Sequence, residues 1–184
     1  MMVDPNTVFW YVLFAANGKA TKISDYLKTT PIEHFFPYCF KEKQMNERQQ
    51  VKRTLQPLLG NLVFVKSSKA YLDPFLKEIK QRLGINSDLY YRYLGSKQLI
   101  IVPESQMLGF IAIAGSNSDQ IIYLSNEEVN MKKGTKVRVT GGIFEGVEGI
   151  FMRIQGDKRV VVSIPHLLSV ATAFIPSRFI LPLE

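Results

Sequence analysis

The side chains that most often carry out catalysis are few in this chain of 184 residues. His34 and His166 are the only histidines, and neither lies in a metal-binding spacing such as His-Glu-x-x-His. Ser163 precedes His166 by three residues, but the sequence has no nucleophile elbow and no signature of a buried acid to complete a triad. Cys39, the single cysteine, lies in an aromatic run, where a packed thiol is expected. We therefore expect no enzymatic activity, no metal and no cofactor.

Positive charge is the chemical property that the chain offers instead. The formal net charge is +7, and residues 1–114 hold most of it, with 15 Lys and Arg against 9 Asp and Glu. Such a surplus indicates a polyanionic partner such as nucleic acid, or only a well-charged surface, and charge alone does not distinguish the two. No apolar run approaches the ~20 residues that span a bilayer. With one cysteine and no signal-peptide pattern, we expect a cytoplasmic monomer without a membrane partner.

The first 114 residues alternate between strand and helix patterns. Continuous apolar runs at residues 8–14 and 61–65 predict buried strands, and two more strands are expected at residues 89–94 and 98–102. The basic residues 41–53 predict a mobile loop or the tip of a hairpin. The order strand, helix, strand, strand, helix, strand predicts an α+β domain of the split βαβ, RRM-like type. Its antiparallel sheet carries helices on one face.

Three helices are expected in this domain, the first beginning at Ala20. The second spans residues 72–84, because Asp73 can cap its free N–H groups and Gly84 suits a left-handed end. The third, at residues 104–112, closes the domain with an apolar face formed by Met107, Leu108 and Ile111.

The helical period disappears after residue 114. Residues 115–130 are predicted to be a linker, and five short β-rich runs fill residues 131–184. Over residues 136–150 glycines recur at Gly142, Gly146 and Gly149 among β-branched residues, which is typical of strand, tight turn and strand. Five short strands in this length predict a small SH3-like barrel. We expect the barrel to be stable, because valine, isoleucine and glycine are poor helix formers.

Two motifs resemble those of NusG-type transcription elongation factors. The glycine-rich run resembles the KOW motif in Val137-Arg138-Val139, Gly142-Ile143-Phe144, Gly146 and Gly149, with Ile143 in place of the usual proline. The first domain resembles the NusG N-terminal (NGN) domain in Trp10-Tyr11-Val12-Leu13 and Pro57-Leu58-Leu59-Gly60-Asn61-Leu62-Val63-Phe64-Val65. In that strand Leu59, Gly60 and Leu62 replace the family's Phe, Pro and Tyr. Asn61, the basic residues 41–53 and residues 174–179 resemble the corresponding parts of specialised paralogs of the RfaH and UpxY type.

The resemblance implies a protein that binds RNA polymerase. In the family, an apolar patch on the NGN sheet grips the clamp of the largest subunit, holds the clamp shut and suppresses pausing or termination. Carried over to this sequence, the patch comprises Phe14, Leu59, Leu62 and Phe64. For Leu62 and Phe64, which lie on one face of a strand, a place in the core remains an equal alternative.

The resemblance also implies contacts with DNA and with a second protein. Cations that could touch the non-template strand or the upstream duplex are Lys19, Lys22, Lys41, Lys43 and Arg48. Family KOW domains bind the termination factor Rho or a ribosomal protein, and the low net charge of residues 115–184, +1, favours such a protein partner. Within the KOW motif the residues expected to be structural are Gly142, Phe144, Gly146 and Gly149. The UpxY-type paralogs act on polysaccharide-biosynthesis operons.

A free RNA-binding module and a ribosome-associated KOW protein are the alternatives. The first expects several aromatic residues on a central strand, but only Phe64 stands within residues 62–66. The second expects stronger overall basicity and a shorter first domain.

Overall fold

A computed structural model of the chain describes residues 4–44, 51–89, 98–116, 118–131, 133–164 and 166–183. One compact unit consists of Met1–Tyr38 and Gln56–Pro103, and the other of Cys39–Leu55 and Glu104–Glu184. The helix that was expected to close the first domain therefore falls in the second unit. The basic segment around residues 41–53 falls there as well.

Thirteen strands and four α-helices are formed by the described residues. The strands are β1 (Val8–Ala15), β2 (Glu33–Phe35), β3 (Tyr38–Gln44), β4 (Val51–Pro57), β5 (Leu62–Ser68), β6 (Ser87–Leu89), β7 (Ile101–Val102), β8 (Ile122–Leu124), β9 (Thr135–Val139), β10 (Glu148–Ile154), β11 (Asp157–Ile164), β12 (Leu168–Ala171) and β13 (Ile180–Pro182). The helices are α1 (Ala20–Leu27), α2 (Lys69–Leu83), α3 (Glu104–Ala114) and α4 (Asn126–Asn130).

The first unit is an antiparallel sheet with α1 and α2 on one face. Its strands lie in the order β2-β5-β1-β6, and β7 also pairs with β1. Alternate residues of β1 and β5 point toward the helices, and the core they share with them includes Tyr11, Leu13, Val63, Val65, Ile23, Leu27, Leu72 and Ile79. This arrangement confirms the predicted α+β fold with its antiparallel sheet and its helices on one face.

Helix α2 begins earlier than the sequence pattern suggested. Ser68 is its N-cap, and the Ser68 side chain accepts a hydrogen bond from the Tyr71 amide at 3.3 Å. The prediction that Asp73 caps the helix is wrong, because the Asp73 carboxylate instead pairs with the Lys69 ammonium at 2.5 Å, one turn earlier. The predicted end is confirmed, since Gly84 adopts a left-handed conformation with φ of 63°.

The second unit contains a six-stranded antiparallel sheet in the order β13-β9-β10-β11-β12-β8. The five strands expected after residue 131 are all present. The sixth, β8, comes from the segment expected to be a linker, and it pairs with β12. The same segment forms α4, which a capping box of Ser125 and Glu128 starts. Leu124 and Val129 pack on the sheet core, so this part of the segment is folded onto the sheet.

A buried arginine holds the preceding residues to the same sheet. Arg159 is 8% exposed, and its Nη1 donates to the backbone carbonyls of Gln120 at 2.6 Å and Thr172 at 2.8 Å. Its Nη2 lies 3.1 Å from the Asp157 carboxylate. These oxygens replace water at Nη1 and Nη2, which lowers the cost of burying the guanidinium, whereas Nε has no acceptor among the described residues.

Helix α3 packs against β10, β11 and β12. Gly109 makes the approach close, since a Cβ atom there would lie 3.3 Å from Val162 Cγ2. The expected apolar face is only partly right: Met107 is buried, but Leu108 is 53% exposed, and the other buried residues are Gly109, Phe110, Ile113 and Ala114.

The basic residues 41–53 lie largely in a two-stranded sheet formed by β3 and β4. A hairpin was one of the two expected forms, and residues 45–50 lie outside the described residues. Among the helices that the structure describes, none combines the length and apolar character needed to cross a membrane.

Candidate functional site

An aromatic face lies on the side of the first sheet opposite α1 and α2. We define it by Trp10, Val12, Phe14, Leu62 and Phe64. Phe14 is the direct partner of Leu62 in the antiparallel pair, and Val12 is the partner of Phe64, so these side chains point to one side of the sheet. The structure thus brings together three of the four residues predicted to bind polymerase.

Leu59, the fourth predicted residue, lies in the turn before β5. Its carbonyl accepts a hydrogen bond from the Leu62 amide at 3.3 Å. Leu59 and Phe14 are half-buried, whereas Leu62 is 5% exposed and Phe64 is fully buried. Within this group, Phe14 and Leu59 are therefore the residues that a partner can reach directly.

Trp10 is a member of the aromatic face that was not among the residues predicted to bind polymerase. It is the pairing partner of Lys66 on β5 and of Val102 on β7, and it is 1% exposed. The Lys66 ammonium lies 5.9 Å from the Trp10 ring centroid, a cation–π arrangement. Its indole N–H has no acceptor among the described residues. The signal in the sequence is the alternation of residues 10, 12 and 14 along one strand.

The cations predicted to touch DNA are divided between the two units. Lys22 is exposed on α1 and Lys19 is half-buried just before that helix, both in the first unit. Lys41 is exposed on β3 and Lys43 lies further along β3, both in the second unit. Arg48 lies outside the described residues.

The β3–β4 hairpin carries a second pair of candidate residues, Phe40 and Arg53, that the sequence pattern did not reveal. The Arg53 guanidinium lies 4.9 Å from the Phe40 ring centroid, and Phe40 is 41% exposed. Arg53 also forms an exposed ion pair with Asp119 at 3.1 Å. An arginine stacked on an exposed aromatic ring can contact both phosphates and bases. The sequence does not indicate that Arg53 lies next to Phe40, because this contact depends on the pairing register of β3 and β4.

The backbone of the glycine-rich segment from β9 into β10 requires glycine at three positions, for two different reasons. Gly142 and Gly146 have φ of 83° and 86°, values that side chains disfavour. Phe144 between them is buried, and the Gly146 amide donates to the Val139 carbonyl at 2.8 Å. Gly149 serves differently, because its backbone lies against Val161, where a Cβ would clash with the carbonyl oxygen. Ile143 at the loop tip is 78% exposed.

Tyr123 on β8 is the group in the second unit with a strongly shifted pKa. Burial disfavours the phenolate and raises the pKa of Tyr123 to about 12, with a smaller contribution from the neighbouring Cys39 thiol. The neutral phenol is therefore the form that the folded chain holds at neutral pH.

Comparison with known proteins gives one family. The family model described as transcription termination factor nusG matches residues 9–132, which is more than half of the chain. The curated proteins contain no match to the chain. The matched residues include all of the aromatic face and the β3–β4 hairpin. The chain therefore belongs to the NusG family, and it is a transcription elongation or termination factor.

Proposed function

We propose that the protein binds the clamp of RNA polymerase's largest subunit through the aromatic face and suppresses pausing or termination. The observation that carries this proposal is the direct pairing of Phe14 with Leu62 and of Val12 with Phe64 on the face opposite α1 and α2. An apolar sheet face with aromatic anchors suits a helical partner such as a coiled coil. About 800 Å² per partner around a few anchors suffices for a specific complex.

The burial of Leu62 and Phe64 directs the proposed contact to the two less buried residues. Phe14 and Leu59 are accessible first, because both are half-buried, whereas Phe64 is fully buried. Leu62 and Phe64 are buried core residues on the same side of the sheet as Phe14, and they support it from below.

We further propose that cations of the NGN-like region contact DNA while polymerase is bound. Lys22 on α1 and Lys41 on β3 are exposed and can reach phosphates. Arg53 and Phe40 add a stacking pair on the hairpin. These contacts give affinity through the phosphate backbone, and a base stacked on Phe40 adds to it.

The KOW-like residues 131–184 recruit a protein in this proposal, either Rho or a ribosomal protein. The exposed Ile143 at the loop tip is a suitable apolar contact. The protein acts by binding in the cytoplasm and catalyses no reaction. Its targets are polysaccharide-biosynthesis operons, as the resemblance to the UpxY group implies.

Co-purification with core RNA polymerase tests the clamp contact. The double variant Phe14→Ser and Leu59→Asp changes two half-buried residues and spares the fully buried Phe64. We expect at least about a tenfold loss of affinity, since anchor residues each contribute more than about 1 kcal/mol. Leu181→Asp, at a residue that is 48% exposed on β13, is the matched control and should bind normally. Unchanged binding by a folded double variant would remove the aromatic face from the proposal.

A further inference from the structure

Three cations form a row across one end of the six-stranded sheet. Arg153 on β10 and Lys158 on β11 are direct partners in the antiparallel pair, on either side of the turn at residues 155–156. Thr135 at the start of β9 is the partner of Phe151, and Gly134 before it lies against residues 150–152 of β10. Continued by one residue, this register brings Lys133 to the end of β10 where Arg153 lies. All three side chains are exposed. Because neighbouring strands lie ~4.8 Å apart, the row spans ~10 Å.

No carboxylate among the described residues forms an ion pair with this row. Asp157, next to Lys158 in sequence, points to the other face of the sheet, where it pairs with Arg159 at 3.1 Å. Glu148 at the far end of β10 pairs with Arg138. Like charges placed directly opposite each other destabilise a sheet. A row of cations that costs stability in this way is expected where an anion binds.

An aromatic ring lies beside the row. Phe151 is two residues before Arg153 on β10, so both side chains are on the same face. The Phe151 ring is half-buried, and the Lys158 ammonium lies 5.9 Å from its centroid. Cations next to an accessible ring are the arrangement that binds the phosphates and bases of a single strand.

We propose that Lys133, Arg153 and Lys158 bind the phosphate backbone of a single-stranded nucleic acid, and that Phe151 contacts a base. The low net charge of residues 115–184 does not oppose this site. The carboxylates of Asp119, Glu148 and Asp157 are held by arginines, which leaves the row locally basic. The site is separate from the proposed polymerase contact and does not depend on it.

Fluorescence anisotropy with the full chain tests the proposal. The probes are labelled oligouridine and oligothymidine, and the slope of log affinity against log salt is measured for each. The variant carries Lys133→Gln, Arg153→Gln and Lys158→Gln. Each lost phosphate contact lowers the slope by ~0.7, so three contacts lower it by ~2. The matched control removes the same charge elsewhere through Lys77→Gln, Lys80→Gln and Arg178→Gln, at exposed residues outside the row.

Phe151→Leu tests the base contact separately, because leucine keeps most of the packing volume. We expect about a fivefold or greater loss of affinity, the range found for a base stacked on an aromatic ring. The oligouridine and oligothymidine series identify RNA or DNA as the ligand. Arg153→Gln should leave the melting temperature unchanged or raise it, because it relieves repulsion with Lys158. Lost binding then cannot be attributed to unfolding.

Two outcomes overturn the proposal. One is that the triple variant and its control show the same affinity and the same salt slope with both probes. The other is that the wild-type chain binds an acidic peptide through the row but neither nucleic acid, which would make the row a protein-binding surface.

Discussion

Gly109 of α3 lies against Val162 of β11, where a Cβ atom at residue 109 would be 3.3 Å from Val162 Cγ2 and 3.6 Å from Val147 Cγ1. Gly109→Leu therefore overpacks this contact, at a cost of about 1–3 kcal/mol. The higher helix propensity of leucine offsets about 1 kcal/mol of this cost, so we expect the free energy of unfolding to fall by up to about 2 kcal/mol in urea titrations. Ala112→Leu, at an exposed residue of the same helix, should not destabilise the chain.

Arg159→Met should loosen the segment before β8. The variant removes the donor that the Gln120 and Thr172 carbonyls share, and it leaves both without that bond. We expect unfolding to become easier by about 2–4 kcal/mol, as for other broken buried charge networks. Hydrogen exchange should accelerate at residues 118–124. Arg178→Met, at an exposed arginine, is the control, and equal exchange in both variants would contradict the prediction.

Ser68→Ala and Asp73→Ala together identify the true start of α2. Loss of an N-cap costs about 0.5–2 kcal/mol, whereas an exposed ion pair between residues four apart contributes about 0.3–0.5 kcal/mol. Thermal unfolding should therefore show the larger loss for Ser68→Ala, because the Ser68 side chain accepts from the Tyr71 amide. A larger effect of Asp73→Ala would support the shorter helix that the sequence suggested. Ser67→Ala is the control for the change from serine to alanine.

Deprotonation of Tyr123 should lower the free energy of unfolding at high pH. Its pKa in the folded chain is raised to about 12, whereas an unfolded tyrosine has a pKa of about 10. Below pH ~10 both states hold the proton, and between pH ~10 and ~12 the unfolded state loses it first. The free energy of unfolding therefore falls over this window, by at most about 3 kcal/mol. Urea titrations of Tyr123→Phe should lack this part of the fall, whereas Tyr71→Phe, at an exposed ring, should retain it.

Much of the fold could be predicted because its signals are local. Gly84 marks a left-handed helix end by itself, and the alternation of β1 and β5 separates a helix-facing side from the aromatic face. Turn residues lie between most of the five strands after residue 131. Fold class and the shared side of Leu62 and Phe64 follow from such patterns, whereas Phe14 was expected beside them only from the family resemblance.

Features that depend on distant partners could not be predicted. Strand β8 forms because it pairs with β12, and Arg159 donates a hydrogen bond to Gln120 just before β8. Leu108 is exposed and Phe110 buried because α3 packs through Gly109, a residue with no side chain to signal a contact. The pairing of Arg153 with Lys158 depends on the register of β10 and β11. The net charge of a segment gives no information about which charged residues are neighbours.

The assignment of α3 and the β3–β4 hairpin to the second unit has a consequence for how this gene can change. The chain passes between the two units after Tyr38, Leu55 and Pro103, so no single crossover point in the gene separates them. A recombination that exchanges only residues 131–184 would place foreign strands against a resident α3 whose Gly109 fits Val162. Substitutions at Val162 and Gly109 are therefore expected to occur together, so that the six-stranded sheet evolves with the helix.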